Sequence, residues 1–158
     1  MTFYEHVRVG ECLRLGSHLF TADAIRSFAK SFDPQPFHLD EEAAKRSQFG
    51  ALCASGWHTI AVWMRLMVEF QKREIQARHA RGEPAATFGP SPGFRDVKWL
   101  KPVYAGDIIT YETEITAKRV SASRPGFGLV TLFNWGANQH NERVMSFINT
   151  VFVPRLPR

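Results

Sequence analysis

An aspartate and a histidine five positions apart, Asp33 and His38, are the side chains of this sequence best suited to acid–base chemistry. Between them, Pro34 and Pro36 fix two backbone φ angles and stiffen the segment. A carboxylate accepts protons and an imidazole titrates near neutral pH, so one water bound by both could be activated for attack. The structural alternative is that Asp33 caps a turn and His38 is a half-buried, hydrogen-bonded histidine. For this pair taken alone, the structural alternative is favoured.

A second feature, the predicted start of a long helix, favours the catalytic interpretation over the structural one. Ser55 and Gly56 open a long predicted helix, whose first N–H groups have no partner inside the helix. Because Gly56 has no side chain, a thioester carbonyl could approach its N–H closely, and the helix dipole favours the enolate charge that develops there. By itself, Gly56 is better explained as a turn or cap residue. Together with Asp33 and His38, it indicates a catalytic site.

Three helices are predicted around these residues. Thr21 is the predicted N-cap of the first, whose buried face would carry Ile25, Phe28, Ala29 and Phe32. Pro34 and Pro36 are expected to stop it. Asp40 is the predicted cap of a short helix with the sequence DEEAAKRS. The longest helix starts at Ser55, and its predicted core stripe consists of Trp57, Ile60, Ala61, Met64, Met67 and Val68.

The second half of the chain is predicted to be β-structure. Residues 81–93 are rich in Pro and Gly and predict a long loop. In residues 108–118, Ile109, Tyr111, Thr113, Ile115 and Ala117 alternate with polar residues, as in a half-buried strand. Residues 129–138 and 143–153 are rich in β-branched and aromatic side chains. Helices followed by consecutive strands predict an α+β domain, an antiparallel sheet wrapped around one long helix.

The stretch SFDPQPFHLDEEAAKRSQFGALCASGWHT resembles the hydratase motif of the MaoC-like dehydratases and R-specific enoyl-CoA hydratases. The matching residues, in order, are Asp33, Pro36, His38, Asp40, Phe49, Gly50, Ser55 and Gly56. The motif region spans residues 28–59, and beyond it the likeness extends to element order and to Lys101-Pro102-Val103 and Gly106-Asp107. Two departures are Gln35, where the family usually has Asn, and Trp57, where many relatives have a smaller or more flexible residue.

The resemblance implies a single hot-dog domain over residues 1–158, with a short helical overhang that carries the catalytic turn. It implies that Asp33 and His38 are the catalytic pair and that the Gly56 amide contributes to an oxyanion hole. The expected reaction is reversible hydration of a trans-2-enoyl thioester, with no cofactor and with coenzyme A as part of the substrate. A homodimer or higher homo-oligomer is expected. The predicted substrate-binding residues are Ser55, Trp57, Gln35, Arg95, Lys98 and Lys101.

Two other functions are possible on the same scaffold. A hot-dog acyl-CoA thioesterase needs a carboxylate near the central helix, and Glu69 is the first acid in that helix. It lies more than three turns after Gly56, which at 1.5 Å per residue is roughly 20 Å away. A non-catalytic acyl-thioester-binding module is the other alternative, and the presence of both Asp33 and His38 argues against it.

The composition argues against several other classes of protein. The 158 residues are 44% hydrophobic and carry a net charge of +5, but no run of basic residues indicates a nucleic-acid partner. Cys12 and Cys53 have no CxxC spacing, and the histidines have no ligand spacing, so no disulfide framework and no metal site are expected. No apolar run approaches the length of a membrane span, and no signal peptide is evident. A cytoplasmic location is therefore expected.

Overall fold

A computed structural model describes residues 3–156. A 3₁₀ turn, Tyr4–His6, precedes the elements β1 (Cys12–Leu19), α1 (Ala22–Phe32), α2 (Pro36–Leu39), α3 (Glu41–Lys45), α4 (Gly56–Ala80), β2 (Gly93–Trp99), β3 (Ile108–Val120), β4 (Phe127–Ala137) and β5 (Arg143–Pro154). The five strands form one sheet in the order β1-β3-β4-β5-β2, and all four pairings are antiparallel. The predicted α+β architecture is confirmed.

Helix α4 is the long central helix, with 25 residues. Its N-cap is Ser55, whose Oγ accepts a hydrogen bond from Trp57 N at 3.2 Å. The buried side chains of α4 are His58, Thr59, Val62, Trp63, Leu66 and Met67. The predicted core stripe is therefore wrong except at Met67 and the half-buried Ile60, because Trp57, Ala61, Met64 and Val68 lie on the exposed side. The helix is apolar on two sides, so periodicity alone does not tell which side faces the sheet.

The inner face of the sheet packs against α4. In β3, Ile109, Tyr111, Thr113 and Ile115 are buried as the alternation predicts, and Tyr111 Oη donates to Thr59 O of α4 at 3.0 Å. Ala117 is exposed, contrary to the prediction. The pairing of β3 with β4 shifts between Ile115 and Ala117, and this irregularity interrupts the alternation.

Three polar side chains cross the buried face of the sheet. Thr113 Oγ1 donates to Asn134 Oδ1 at 2.7 Å, and Asn134 Nδ2 donates to Asn149 Oδ1 at 2.9 Å. All three residues are at most 2% exposed. Buried polar groups that are not hydrogen-bonded are costly, so this chain of bonds allows strands β3, β4 and β5 to carry polar residues in the core.

The short helices before α4 start at the predicted caps. Thr21 Oγ1 accepts from Ala24 N at 3.2 Å, and Asp40 Oδ1 accepts from Ala43 N at 2.7 Å. Helix α1 ends at Phe32 as predicted, but Phe32 is 73% exposed, so its placement on the buried face is wrong.

Pro36 does not prolong the break after α1. It is the first residue of α2, where a missing N–H costs no hydrogen bond. The two prolines therefore act differently: one stands in the connection and the other starts a helix that carries His38.

Edge strand β2 contains an extra residue. Arg95 pairs with Ile148 and Lys98 with Ser146, so Asp96 and Val97 together face one residue of β5. Asp96 has a φ of 54°, the left-handed conformation found at one class of β-bulge and better tolerated by Asp than by most residues. Beyond the bulge, Trp99 pairs with the buried Met145.

The predicted loop is confirmed: residues 81–92 contain no helix or strand. It is held along β5, since Gly89 N donates to Phe152 O at 2.6 Å and Ala86 is buried. Within residues 3–156, no helix is long and apolar enough to span a membrane.

Candidate active site

A cavity of about 390 Å³ lies beside the first turn of α4. Its polar and small lining residues include most of those predicted from the sequence: Asp33, Gln35, His38, Ser55, Gly56, Trp57 and Lys101. The rest of the lining is mainly apolar and consists of Phe37, Phe49, Cys53, Ala54, Thr59, Trp99, Leu100, Pro102, Val103 and Val144. Such a combination, an apolar pocket with a few convergent polar groups, is typical of small-molecule sites.

Asp33 and His38 face each other in this cavity. Asp33 is the C-cap of α1 and His38 lies in α2, and Asp33 Oδ2 is 3.4 Å from His38 Nε2. The other ring nitrogen, Nδ1, is 2.7 Å from Cys53 O. A carbonyl oxygen can only accept, so Nδ1 carries a proton, and Nε2 is the ring nitrogen that faces Asp33.

The environment of Asp33 favours its ionised form. Partial burial acts to raise the pKa of Asp33, but the hydrogen bonds from the Ser55 hydroxyl and the Gln35 amide, with the charge of His38, outweigh it and lower the pKa below its ordinary value. Gln35 Nε2 donates to Asp33 Oδ1 at 2.8 Å. The longer amide at position 35 thus reaches the carboxylate directly.

The Gly56 amide is the first N–H of α4. It has no acceptor among the described residues, whereas the next amide, that of Trp57, bonds to the Ser55 side chain. Ser55 is completely buried and contacts both Asp33 and the start of α4. One serine therefore joins the acid–base pair to the helix terminus.

The segment before α4 is held by the chain that leads into β3. Ala54 N donates to Val103 O at 2.7 Å, and Cys53 pairs with Tyr104 in an isolated bridge. Tyr104 Oη donates to Phe49 O at 2.9 Å. These bonds fix the Cys53 carbonyl that orients His38. Burial raises the pKa of the Cys53 thiol to about 11, so the thiol stays protonated at neutral pH.

Two of the three basic residues that are predicted to bind substrate lie outside the cavity. Arg95 and Lys98 are exposed residues of β2 and do not line it. Lys101 does line it, and its Nζ is paired with Glu142. A surface ion pair of this kind is weak and leaves the amine open to exchange with a substrate anion.

Trp99 and Cys53 are site residues that sequence reasoning missed. Trp99 lines the cavity, contacts the Trp57 ring edge-on at 5.2 Å between centroids, and covers Gly56. A tryptophan in an edge strand gives no signal of facing a helix terminus, because its direction depends on the bulge at Asp96. The role of Cys53 depends on its backbone carbonyl, which the side-chain sequence does not reveal.

The remaining histidine near the site, His58, is buried in the first turn of α4. Its ring stacks on Phe28 at 4.5 Å, and burial lowers its pKa to about 4, with the nearby His18 and Arg65 adding to the effect. Within residues 3–156, no cluster of three or more His, Cys, Asp or Glu side chains is placed to hold a metal ion.

Comparison with known proteins identifies the family. A family model described as "MaoC like domain" matches residues 8–132, most of the chain. The chain belongs to the MaoC-like domain family. The crystal structure of a MaoC-like dehydratase from Rhodospirillum rubrum is 37% identical, with a TM-score of 0.82 and 100% coverage of both chains. This MaoC-like protein therefore has the predicted hot-dog fold.

More distant relatives extend the match. The structure of an (R)-hydratase from A. caviae has a TM-score of 0.66 at 23% identity, covering 97% of this chain and 99% of the other. An uncharacterized protein of Bacillus subtilis strain 168, YdeM, is 28% identical over 149 residues, which are 93% of this chain and 95% of that protein. The coarse function that these findings support is membership of a dehydratase and hydratase family.

Proposed function

We propose that this MaoC-like protein catalyses the reversible addition of water to a trans-2-enoyl thioester, giving a 3-hydroxyacyl thioester. The observation that carries the proposal is the 3.4 Å approach of Asp33 Oδ2 to His38 Nε2 in a cavity that also contains the free Gly56 amide. Two proton acceptors beside an oxyanion donor are the groups that this reaction requires. The A. caviae structure described as an (R)-hydratase and the Mycobacterium tuberculosis complex described as a 3R-hydroxyacyl-ACP dehydratase support the same reaction class.

The mechanism follows from the direction of the lone pairs. When Asp33 is ionised and His38 Nε2 carries no proton, both atoms accept, so a water between them donates one hydrogen to each and keeps an oxygen lone pair for attack. Its oxygen bonds to the β-carbon, and the π electrons of the double bond move through the α-carbon to the thioester oxygen. One proton of the water passes to the pair.

The enolate formed in this way places negative charge on the thioester oxygen, where the Gly56 N–H and the positive end of α4 stabilise it. The electrons then return, the α-carbon takes the proton that the Asp33/His38 pair removed from the water, and the net change is the addition of one water. No cofactor takes part in this scheme. Coenzyme A enters as part of the substrate, and its phosphates are proposed to contact Arg95, Lys98 and Lys101.

The cavity lining disfavours the thioesterase alternative. Asp33 is the only carboxylate among the described residues that line the cavity. Glu69 does not line it and lies 3.8 Å from Arg65, on the exposed surface of α4. A water directed at the carbonyl by Glu69 would have to be held roughly 20 Å from the Gly56 amide.

The reaction is tested with Asp33→Asn and His38→Gln on crotonyl-CoA, followed by loss of enoyl absorbance. Each variant is expected to lower kcat by at least about 100-fold, because each removes one acid–base group. Matched controls are Asp23→Asn, at a fully exposed carboxylate, and His79→Gln, at an exposed histidine, and both should keep wild-type kcat. Full activity in both site variants would contradict the assignment.

The same assay separates the alternatives. Release of free thiol without a change in enoyl absorbance would identify a thioesterase. Binding of acyl-CoA without turnover of any enoyl chain length would identify a binding module.

We also propose that the functional unit is a homodimer. Strand β2 has one unpaired edge in the sheet, and α4 exposes an apolar surface formed by Trp57, Ala61, Met64 and Val68. Unpaired strand edges and exposed apolar patches are features that proteins cover, and a second copy in twofold symmetry is the commonest partner. Two of the similar structures are described as complexes, HadBC and ChsH1-ChsH2 of Mycobacterium tuberculosis.

A further inference from the structure

Neither the Gly56 amide nor the indole Nε1–H of Trp99, both beside the cavity, has an acceptor among residues 3–156. Both residues line the cavity that contains Asp33 and His38. Free donors at the edge of an apolar pocket are positioned to bind an oxygen of a ligand.

The two donors lie close together. A Cβ added at Gly56 would overlap the indole ring of Trp99, with Nε1 as the nearest atom. Because Cβ and the amide nitrogen are each a single bond of about 1.5 Å from Cα, Nε1 lies within about 5 Å of the Gly56 nitrogen. One oxygen atom can accept from two nitrogens at such a separation, since each N–H···O bond is about 2.9 Å long.

The register of the sheet shows why the indole reaches this point. Tyr111, Gly136, Met145 and Trp99 pair in sequence across β3, β4, β5 and β2. Directly paired residues share one face of a sheet, and Tyr111 faces α4, where it bonds to Thr59 O. Trp99 is therefore the last member of a row that runs across the first turn of α4.

We propose that the indole N–H of Trp99 is the second oxyanion donor, binding the thioester oxygen together with the Gly56 amide. This inference rests on the proposed hydration of an enoyl thioester. In that reaction no bond to Trp99 forms or breaks: the indole donates a hydrogen bond that strengthens as charge develops on the oxygen. Gly56 then has two functions, as an amide donor and as the residue whose missing side chain admits the indole.

The test is Trp99→Phe, which removes the N–H and keeps an aromatic ring, measured with crotonyl-CoA. Loss of one oxyanion donor should lower kcat by about 100-fold and leave KM nearly unchanged, because the lost bond is stronger in the transition state than in the ground state. Replacing Trp99 by benzothienylalanine, which has sulfur in place of the N–H, makes the same change at nearly constant shape. This second variant keeps the test decisive if phenylalanine disturbs the fold.

The matched control is Trp135→Phe. Trp135 stacks on Phe133 on the opposite face of the sheet from the Tyr111 row, so the same chemical change there should leave kcat at the wild-type value. Wild-type kcat in the Trp99 variants, or a raised KM with unchanged kcat, would overturn the proposal. If the wild-type protein hydrates no enoyl-CoA, the proposed hydration itself is wrong. If the wild-type protein is active, Asp33→Asn is impaired and the Trp99 variants keep wild-type kcat, only the second donor is rejected.

Discussion

Ser55 uses one hydroxyl for two purposes. Its oxygen accepts from Trp57 N at the start of α4, and its hydrogen bond helps to keep Asp33 ionised. A hydroxyl has one donor and two acceptor positions, so both bonds can exist together. The residue thus connects the stability of the helix terminus with the charge of the acid–base pair.

Ser55→Ala is predicted to shift the acid limb of the kcat/KM profile to higher pH. The pKa of Asp33 is lowered in the folded protein, so the carboxylate stays ionised as the pH falls until that lowered pKa is reached. Removing one stabilising donor raises the pKa, and activity is then lost at a higher pH. The measurement is a pH profile of enoyl hydration for both proteins.

Ser27→Ala, at an exposed serine of α1, is the control and should keep the wild-type profile. Loss of the N-cap in Ser55→Ala should also lower the free energy of unfolding by about 1 kcal/mol, which denaturant titration can measure separately. An unmoved acid limb would show that Ser55 does not set the ionisation of Asp33.

At the residue level, the sequence predicts the members of the site better than their geometry. Asp33, His38, Ser55 and Gly56 are marked by a stiff proline segment and a capped helix, and the structure brings them to one cavity. Their catalytic roles stay predictions. The orientation of His38 depends on the Cys53 carbonyl, and every residue has a carbonyl, so no pattern of side chains could point to it.

The bulge in β2 is the element on which the direction of Trp99 depends. Phe94 and Trp99 both pair with buried residues of β5, Asn149 and Met145, although five positions separate them. In a regular strand, residues an odd number of positions apart point to opposite faces. The extra residue at Asp96 removes this conflict.

Asp96→Val is therefore predicted to lower kcat toward the level of Trp99→Phe. A β-branched residue disfavours positive φ at a cost of about 1–3 kcal/mol, so the bulge would give way and β2 would slip against β5. Asp96→Gly, which adopts positive φ freely, is the matched control and should keep the pairing. Both variants are measured by enoyl hydration. Wild-type kcat in Asp96→Val would show that the bulge does not affect the active site.

At the element level, caps and strand alternation are predictable because they depend on neighbouring residues. Thr21 and Asp40 cap the helices that they are predicted to cap, and Ser55, the predicted start of the long helix, is the N-cap of α4. The buried side of α4 is not predictable in this way, because the helix is apolar on both its sheet side and its exposed side. Only tertiary packing decides between them.

For the whole molecule, the exposed apolar side of α4 predicts self-association. In the proposed dimer, Met64 and Val68 contact the partner, and twofold symmetry places each substitution in the interface twice. The double variant Met64→Glu/Val68→Glu is predicted to be a monomer, since a carboxylate buried without a partner costs roughly several kcal/mol. Light scattering after size-exclusion chromatography measures the mass.

Ala122→Glu adds one carboxylate in the exposed turn between β3 and β4 and should remain a dimer. A wild-type protein that is monomeric and fully active would reject the proposed dimer. Retention of the dimer by the double variant would place the interface on another surface.

The bulge residue Asp96 also affects how homologues of different length should be aligned. Without this one residue, Val97 would face Phe147 in a regular ladder, and Lys98 and Trp99 would keep their present partners Ser146 and Met145. A homologue that lacks the bulge residue and one that has it can therefore place the same indole beside the same helix terminus. An alignment of homologues of either length should open a one-residue gap at this position, and the functional correspondence resumes immediately after it.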